Sequence, residues 1–414
     1  MTAPLAGLRW GLGPGWLLRL KRCRSSASGK ELLGLFSLNN DILLQSCRNY
    51  QAVLCTELTK PLIIRNLPSP SLQPHEVRVG VRYCGVNFAD ILACKGLYQK
   101  KHCLPFTPGM EFSGMVMETG ANVSTVQEGD RVIGVTGTSA MAGECVADQK
   151  MLWPIPEGVS YEEAAALPVS YGTAILALDH RAHTQPGETV LVTAAAGATG
   201  LAAIDVAANV LKAKVIAAAG SDYKCNLALQ KGAAHSVNYT QGSLKEGVKK
   251  LTDNRGVNVV LDAVGGDIFK EALHSLAWEG RIVVVGFAGG AIPSVPANLL
   301  LLKNVSALGV FWGRYREEDF PVFSSSLSSA LWYCQERRIQ PHVGAVFKLE
   351  EVNEAFSRVT QRKSTGKVEG QAGISRCGRW TLTAAFGDGE SSGQICKAVG
   401  GGHVRTGSYK TTKN

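Results

Sequence analysis

Apolar and polar positions alternate along His75-Glu-Val-Arg-Val-Gly-Val-Arg-Tyr83, and similar short runs recur between Gln51 and Val146, separated by Pro and Gly clusters. A period of two, broken by turn signals every ten or so residues, predicts an antiparallel, barrel-like β domain. Near Tyr161 the pattern changes. Glu162–Leu167 and Gly172–His180 read as helices, the first opened by Ser160 as an N-cap. From Glu188 onward, unbroken apolar runs alternate with helical stretches. The predicted strands are Thr189–Thr193, Lys214–Ala219, His235–Asn238, Val257–Asp262, Arg281–Gly286 and Ser306–Phe311. Runs such as Arg281-Ile-Val-Val-Val-Gly286 need cover on both faces, which means a parallel sheet between layers of helix. Six such strands match a doubly wound dinucleotide-binding fold. Residues 312–368 add a helix and the strand Val343–Phe347, expected to pack back on the first domain. Beyond Val368 the periodicity stops, and the Gly-, Ser- and Thr-rich stretch 369–414 reads as a mostly disordered tail.

The most informative element is the turn after the first parallel strand. Val190–Val192 feeds Ala194-Ala-Ala-Gly-Ala-Thr-Gly200, and Leu201–Leu211 then reads as a helix. A dinucleotide pyrophosphate needs this strand–turn–helix setting, because small residues admit it to the backbone and the first helical N–H groups supply donors. Ala195, Gly197 and Gly200 stand at the three glycine positions of G-x-G-x-x-G, so the motif is incomplete and weak by itself. The candidate phosphate contacts are Ala196, Gly197, Ala198, Thr199 and Gly200. The second strand ends Ala217-Ala-Ala-Gly-Ser221 with no acid at its tip, and Lys224 follows Asp222 closely. Without carboxylate repulsion, and with a cation at hand, this end suits a ribose 2′-phosphate. Gly220, Ser221, Lys224 and Tyr239 are therefore candidate adenosine-phosphate contacts, favouring NADPH over NADH; the plainer account of Lys224 is a solvated residue in a first helical turn.

Composition narrows the picture without changing it. Of 414 residues, 45% are hydrophobic and 19% charged, as in a globular protein with room for two cores. The net charge of +9 lies at the ends: residues 1–30 hold six basic groups and no acid, and 369–414 hold six against three acids. The stretch between is formally neutral, so no electrostatic footprint for nucleic acid is present. The acid-free, Arg-, Leu- and Ser-rich start fits a mitochondrial presequence, with a disordered leader as the alternative. No run of about 18 apolar residues offers a membrane span. Eleven dispersed cysteines without a C-x-x-C argue for buried thiols in a reducing compartment.

Six motifs occur in order: Cys84-Gly-Val-Asn-Phe-Ala-Asp90, Gly96-Leu-Tyr98, Pro105-Phe-Thr-Pro-Gly-Met-Glu-Phe-Ser-Gly114, Gly129-Asp-Arg-Val132, Ala164-Ala-Ala-Leu-Pro-Val-Ser-Tyr-Gly-Thr173 and the Ala194–Gly200 turn. Together, over about residues 50–368, they resemble the medium-chain dehydrogenase/reductase superfamily in its zinc-free quinone oxidoreductase (zeta-crystallin-like) branch. The resemblance implies an α/β protein with a GroES-like β-rich substrate domain (49–170 and 312–368) and a Rossmann domain (171–311), flanked by a leader (1–48) and an atypical tail (369–414). It also implies a homodimer built partly on the last strands of the nucleotide domain. Zinc-dependent relatives hold their metal at positions that here read Asn87, Met110 and about Val169, none of them a good zinc ligand.

Without a metal to activate an alcohol, reduction of an already electrophilic quinone or α,β-unsaturated carbonyl remains, with NADPH as the cofactor. By resemblance, Asn87 and Tyr98 sit at the nicotinamide and the acceptor, and Tyr98 has a hydroxyl to donate to a developing oxyanion. Tyr171 and Thr173 fall near the cofactor, and Phe287 lines the nicotinamide pocket or the core. Phe311 and Trp312 wall the acceptor pocket or end a buried strand. Arg362 and Lys363 reach the cofactor phosphate or form an exposed basic turn. Two further readings stay open: a cofactor-binding protein that binds RNA or protein, and an inactive splice variant. The second follows from Glu369-Gly-Gln-Ala-Gly373, which stands where such relatives carry a short apolar strand, so Ser364–Val368 would lose a partner.

Overall fold

The computed structural model describes residues 48–372; the expectations for the leader and for residues 373–414 lie outside them. A hairpin of β1 (Asn49–Leu54) and β2 (Ile63–Pro68) opens the described chain. The alternation seen at His75–Tyr83 becomes β3 (Glu76–Val86), which buries Val77, Val79 and Val81. Two register shifts let this long strand curve enough to pair with several neighbours. The chain continues through α1 (Phe88–Cys94), β4 (Glu111–Thr119), β5 (Arg131–Val135), β6 (Glu144–Asp148) and β7 (Leu152–Pro154).

Two short helices lead into the second domain, α2 (Tyr161–Ala165) and α3 (Pro168–Ile175). Ser160 caps α2: its Oγ accepts from the Glu163 N–H at 3.1 Å, and the Glu163 carboxylate accepts the Ser160 N–H at 2.9 Å. The next helix starts at Pro168 rather than Gly172, because proline at the first helical position gives up an N–H that has no intrahelical partner anyway. A π-helical turn over Leu176–Arg181 prolongs it.

The parallel half runs β8 (Thr189–Val192), α4 (Ala198–Asp205), β9 (Lys214–Ala219), α5 (Asp222–Gln230), β10 (His235–Asn238), α6 (Leu244–Leu251), β11 (Val257–Asp262), α7 (Gly266–His274), β12 (Leu276–Val284), α8 (Ala297–Lys303) and β13 (Ser306–Gly309). All six predicted strands are present. They form one parallel sheet in the order β10-β9-β8-β11-β12-β13. The order reverses between β8 and β11, and ligands bind in the crevice beyond the carboxyl ends of strands at such a switch point. Thr193 and Asp262 lock those ends together: Thr193 Oγ1 donates to Asp262 Oδ1 at 2.7 Å, and the Gly265 N–H donates to Asp262 Oδ2 at 2.9 Å.

Last come α9 (Trp312–Glu318), α10 (Phe320–Gln335), β14 (Val343–Lys348), α11 (Val352–Thr360) and β15 (Lys367–Gln371). Two expectations need correction here. The helices after residue 312 do not return to the first domain: Trp312, Phe323, Leu327 and Leu331 join the apolar core around α3, β8 and α4. Only β14, α11 and β15 return. The second correction concerns the final strand, which is present despite its composition. β15 takes in Glu369, Gly370 and Gln371 and lies inside the sheet β14-β15-β3-β4-β5-β7, parallel to β14 and antiparallel to β3. Backbone pairing on both sides outweighs the poor strand propensity of Glu-Gly-Gln. Among the described cysteines all are free, and all but Cys103 are buried. Among the described residues no helix is long and apolar enough to cross a membrane.

Candidate active site

The crevice at the switch point is lined first by the turn that joins β8 to α4. Ala194 adopts a left-handed backbone (φ 47°), and the Gly197 N–H closes the turn on the Ala194 carbonyl at 2.9 Å. Gly200 is required by close approach, since a Cβ there would strike the Ala194 carbonyl oxygen. Ala198, Thr199 and Gly200 then begin α4, whose first N–H groups lack intrahelical acceptors. This is a cradle for an anionic group, held open by small side chains.

The adenosine-phosphate candidates converge at the end of β9. The Tyr239 ring packs over Gly220, about 3.5 Å from where a Cβ would stand. Ser221 caps α5, its Oγ accepting from the Lys224 N–H at 3.4 Å. Lys224 Nζ donates to the Arg362 carbonyl at 2.7 Å, and burial together with the Arg362 charge holds its ammonium below the usual lysine range. The one acid near this end is occupied elsewhere. Asp222 accepts from Asn238 at 2.7 Å and Gln241 at 2.9 Å, bonds that lower its carboxyl further. Lys224 and Arg362, near enough for the Arg362 charge to weaken the ammonium, make a site that gains from a dianion, while the ionised Asp222 stays bound to two side-chain amides.

The residues expected at the acceptor come from both domains. The Tyr98 ring meets Phe311 edge-on, centroids 6.5 Å apart, and Phe311 is half-exposed beyond the end of β13. Burial raises the Tyr98 hydroxyl, the Asp90 charge adds to this, and Arg316 opposes both, so Tyr98 stays protonated and able to donate. Trp312 does not share this wall. It is buried against Gly172, where a Cβ would come within 2.6 Å of its Nε1, and it donates to Ser326 Oγ at 3.1 Å. Phe287 lies at the mouth of the crevice beside Gly265, next to the carboxyl end of β12.

Two predicted site residues have different surroundings from those expected. Tyr171 is 3% exposed, and its hydroxyl donates to Asp205 Oδ2 at 2.8 Å, so that hydroxyl is not available to a cofactor. Thr173 lies half-buried on the same helix α3. Asn87 is buried with both ends of its amide engaged: Nδ2 donates to Glu111 Oε1 at 2.7 Å, and Oδ1 accepts from Lys367 Nζ at 2.8 Å. Its backbone N–H donates to Asp90 Oδ2 at 2.9 Å, and the Gly109 N–H donates to Asp90 Oδ1 at 3.0 Å. Burial still pushes the Asp90 carboxyl up to about 7 against those two donors.

Sequence reasoning missed Glu111 and Lys367 as members of this network, and Thr193 and Asp262 at the switch point. Arg362 was noted only as one possibility on a basic turn. Apart from the turn that Asp262 caps locally, their partners lie 24 to 280 positions away in the chain, so no local pattern marks them.

The donor set does not fit a catalytic zinc. Asn87 and Met110 offer neither thiolate nor imidazole, and at Val169 it is the backbone N–H that is used, donating to Glu111 Oε2 at 2.7 Å. The same chain does fit a phosphorylated dinucleotide, through the Gly200 cradle and the Lys224–Arg362 pair.

Residues 73–170 match the alcohol dehydrogenase GroES-like domain, and residues 198–329 match the zinc-binding dehydrogenase family. The chain is 74% identical over 325 residues to quinone oxidoreductase-like protein 2 of Bos taurus, covering 78% of this chain and 93% of that one. It is 50% identical over 324 residues to the homologue from Nematostella vectensis, covering 78% and 88%. Among solved structures it is similar to the quinone oxidoreductase of Thermus thermophilus, described alone and in complex with NADPH. That likeness has a TM-score of 0.69 and 36% identity, over 78% of this chain and 99% of that one.

Proposed function

The chain belongs to the quinone oxidoreductase-like protein 2 family, and on that premise we propose that it is an NADPH-dependent, zinc-independent reductase of quinones or α,β-unsaturated carbonyls. The observation that carries the reading is the pairing of Lys224 with the Arg362 segment at the end of β9, beside a carboxylate already committed to Asn238 and Gln241. Discrimination between NADPH and NADH rests on one phosphate, and this is the place in the fold with the charge to bind it. A reduced nicotinamide supplies a hydride to the acceptor. The protein's own residues orient and shield: Phe311 and Tyr98, packed edge to face, form an aromatic wall, and the protonated Tyr98 hydroxyl is available to donate to an oxygen that gains charge on reduction.

The reading includes a homodimer. β13 is an edge of the parallel sheet, and on the helix that precedes it, α8, Leu301 and Leu302 are 80% and 68% exposed. An open strand edge next to exposed leucines suits a second copy of the chain.

Turnover of NADPH and NADH with benzoquinone and with an enoyl thioester tests the activity. NADPH oxidation with at least one of these acceptors, at a KM well below that for NADH, is the expected result. Tight NADPH binding with no oxidation by either acceptor would overturn the reductase reading.

A further inference from the structure

The segment Arg362–Lys367 is a strap that touches both ends of the crevice. Its Arg362 carbonyl receives the Lys224 ammonium at 2.7 Å, and Arg362 Nη2 donates to the Ala288 carbonyl at 3.2 Å. Four residues on, the Gly366 N–H donates to the Ala196 carbonyl at 2.9 Å, and Gly366 bridges to Gly197 of the cofactor turn. The next residue, Lys367, starts β15 with a side chain only 2% exposed.

We propose that Lys367 is a positioning residue: carried by this strap, it fixes the orientation of the Asn87 carboxamide, and that orientation sets the rate of reduction. The proposal rests on the reading of Asn87 as a residue of the acceptor site.

The geometry leaves the amide one orientation. Lys367 Nζ donates to Asn87 Oδ1 at 2.8 Å and also pairs with Glu111 Oε1, while Asn87 Nδ2 donates to that same Glu111 oxygen at 2.7 Å and to the Gly85 carbonyl at 3.4 Å. Turning the amide over would set its NH2 against the ammonium and its oxygen against the carboxylate, both repulsive in a buried site. Glu111 is itself held, because its other oxygen accepts the Val169 N–H at the start of α3. Gly85 makes the triangle possible, since a Cβ there would collide with both Glu111 and Lys367. Lys367 is thus one residue from the cofactor turn and in direct contact with Asn87. A charge serving only to neutralise Glu111 would need neither contact.

The test uses the pair Lys367→Met with Glu111→Gln, which removes one charge of each sign and so leaves the net charge of the network unchanged. The pair is made in the wild-type chain and in an Asn87→Ala background, and kcat, KM and the NADPH Kd are measured. A misplaced reacting group costs about 100-fold in rate. The expected result is therefore a fall of about that size in kcat with the NADPH Kd little changed, and no further fall in the Asn87→Ala background. An equal fall in both backgrounds, or a changed Kd with unchanged kcat, would overturn the proposal. The 15N–1H signals of the Asn87 side-chain amide give a readout that needs no turnover. If wild type shows no acceptor reduction, the reductase reading fails by itself, and an Asn87 amide signal unmoved by the double substitution would separately refute the positioning role.

Discussion

The proposed preference for NADPH rests chiefly on one side chain, Lys224. A point charge near a 2′-phosphate forms a charge-assisted hydrogen bond of about 1.5–3 kcal/mol, or roughly a 10- to 150-fold change in affinity. Lys224→Ala should raise the KM for NADPH by about that factor and leave the KM for NADH nearly unchanged. Parallel changes for both cofactors would show that Lys224 supports the helix rather than the phosphate. The residue was legible in the sequence because it follows the second strand closely, at a fixed place in this fold. Its partner was not legible: the Arg362 carbonyl is 138 positions away. Asn87 was legible as a position, whereas its environment was not, since Glu111 and Lys367 come from other strands.

At the scale of the element, β15 is where sequence and structure part most clearly. Reading Glu369-Gly-Gln as the loss of a strand weighs composition alone. In the fold, Glu369 pairs with Gly85 and Val346 on its two sides and is fully buried, with neither carboxylate oxygen hydrogen-bonded. Backbone pairing keeps the strand, and the side chain bears the cost, about 1–3 kcal/mol for a buried unsatisfied polar group.

Burial raises the Glu369 carboxyl well above its usual 4.5; Lys367 opposes this, and Glu111 and Glu162 reinforce it. In the unfolded chain the group ionises near its ordinary value, so below that pH it is protonated in both states. As the pH climbs from there through the raised folded value, the unfolded state loses its proton first and stability falls. Glu369→Gln keeps the shape and removes the titration. Denaturant unfolding of wild type and this variant should therefore diverge as pH rises from about 4.5, the variant becoming the more stable. A constant difference across that range would mean that Glu369 is ionised or solvated in the fold. Asp90, raised to about 7, adds a decline of the same sign, but it is present in both proteins and drops out of the comparison.

On the scale of the whole molecule, the two ends of the six-stranded sheet differ. Edge strand β10 packs with α5 and α6, whereas edge strand β13 follows α8, which carries the exposed Leu301 and Leu302. If two copies join there, the leucines leave water in the assembly. Leu301→Asp combined with Leu302→Asp should convert a dimer to a monomer in light scattering, without loss of NADPH binding. A wild-type chain that is monomeric at micromolar concentration would refute the dimer.

The sequence by itself determined the two kinds of domain, the six parallel strands and the cofactor turn. These follow from local rules: a side-chain period of two, a need for cover on both faces, and small residues where a backbone must approach an anion. The tertiary structure decided what depends on distant partners. It assigned α9 and α10 to the nucleotide-binding core, because their apolar faces match α3. It kept β15 in the sheet, because two neighbouring strands supply the hydrogen bonds that its side chains do not favour. It also joined Asn87, Glu111 and Lys367 over Gly85. A buried charge is tolerable only when opposite charge and donors reach it from elsewhere in the chain, and only folding brings those together.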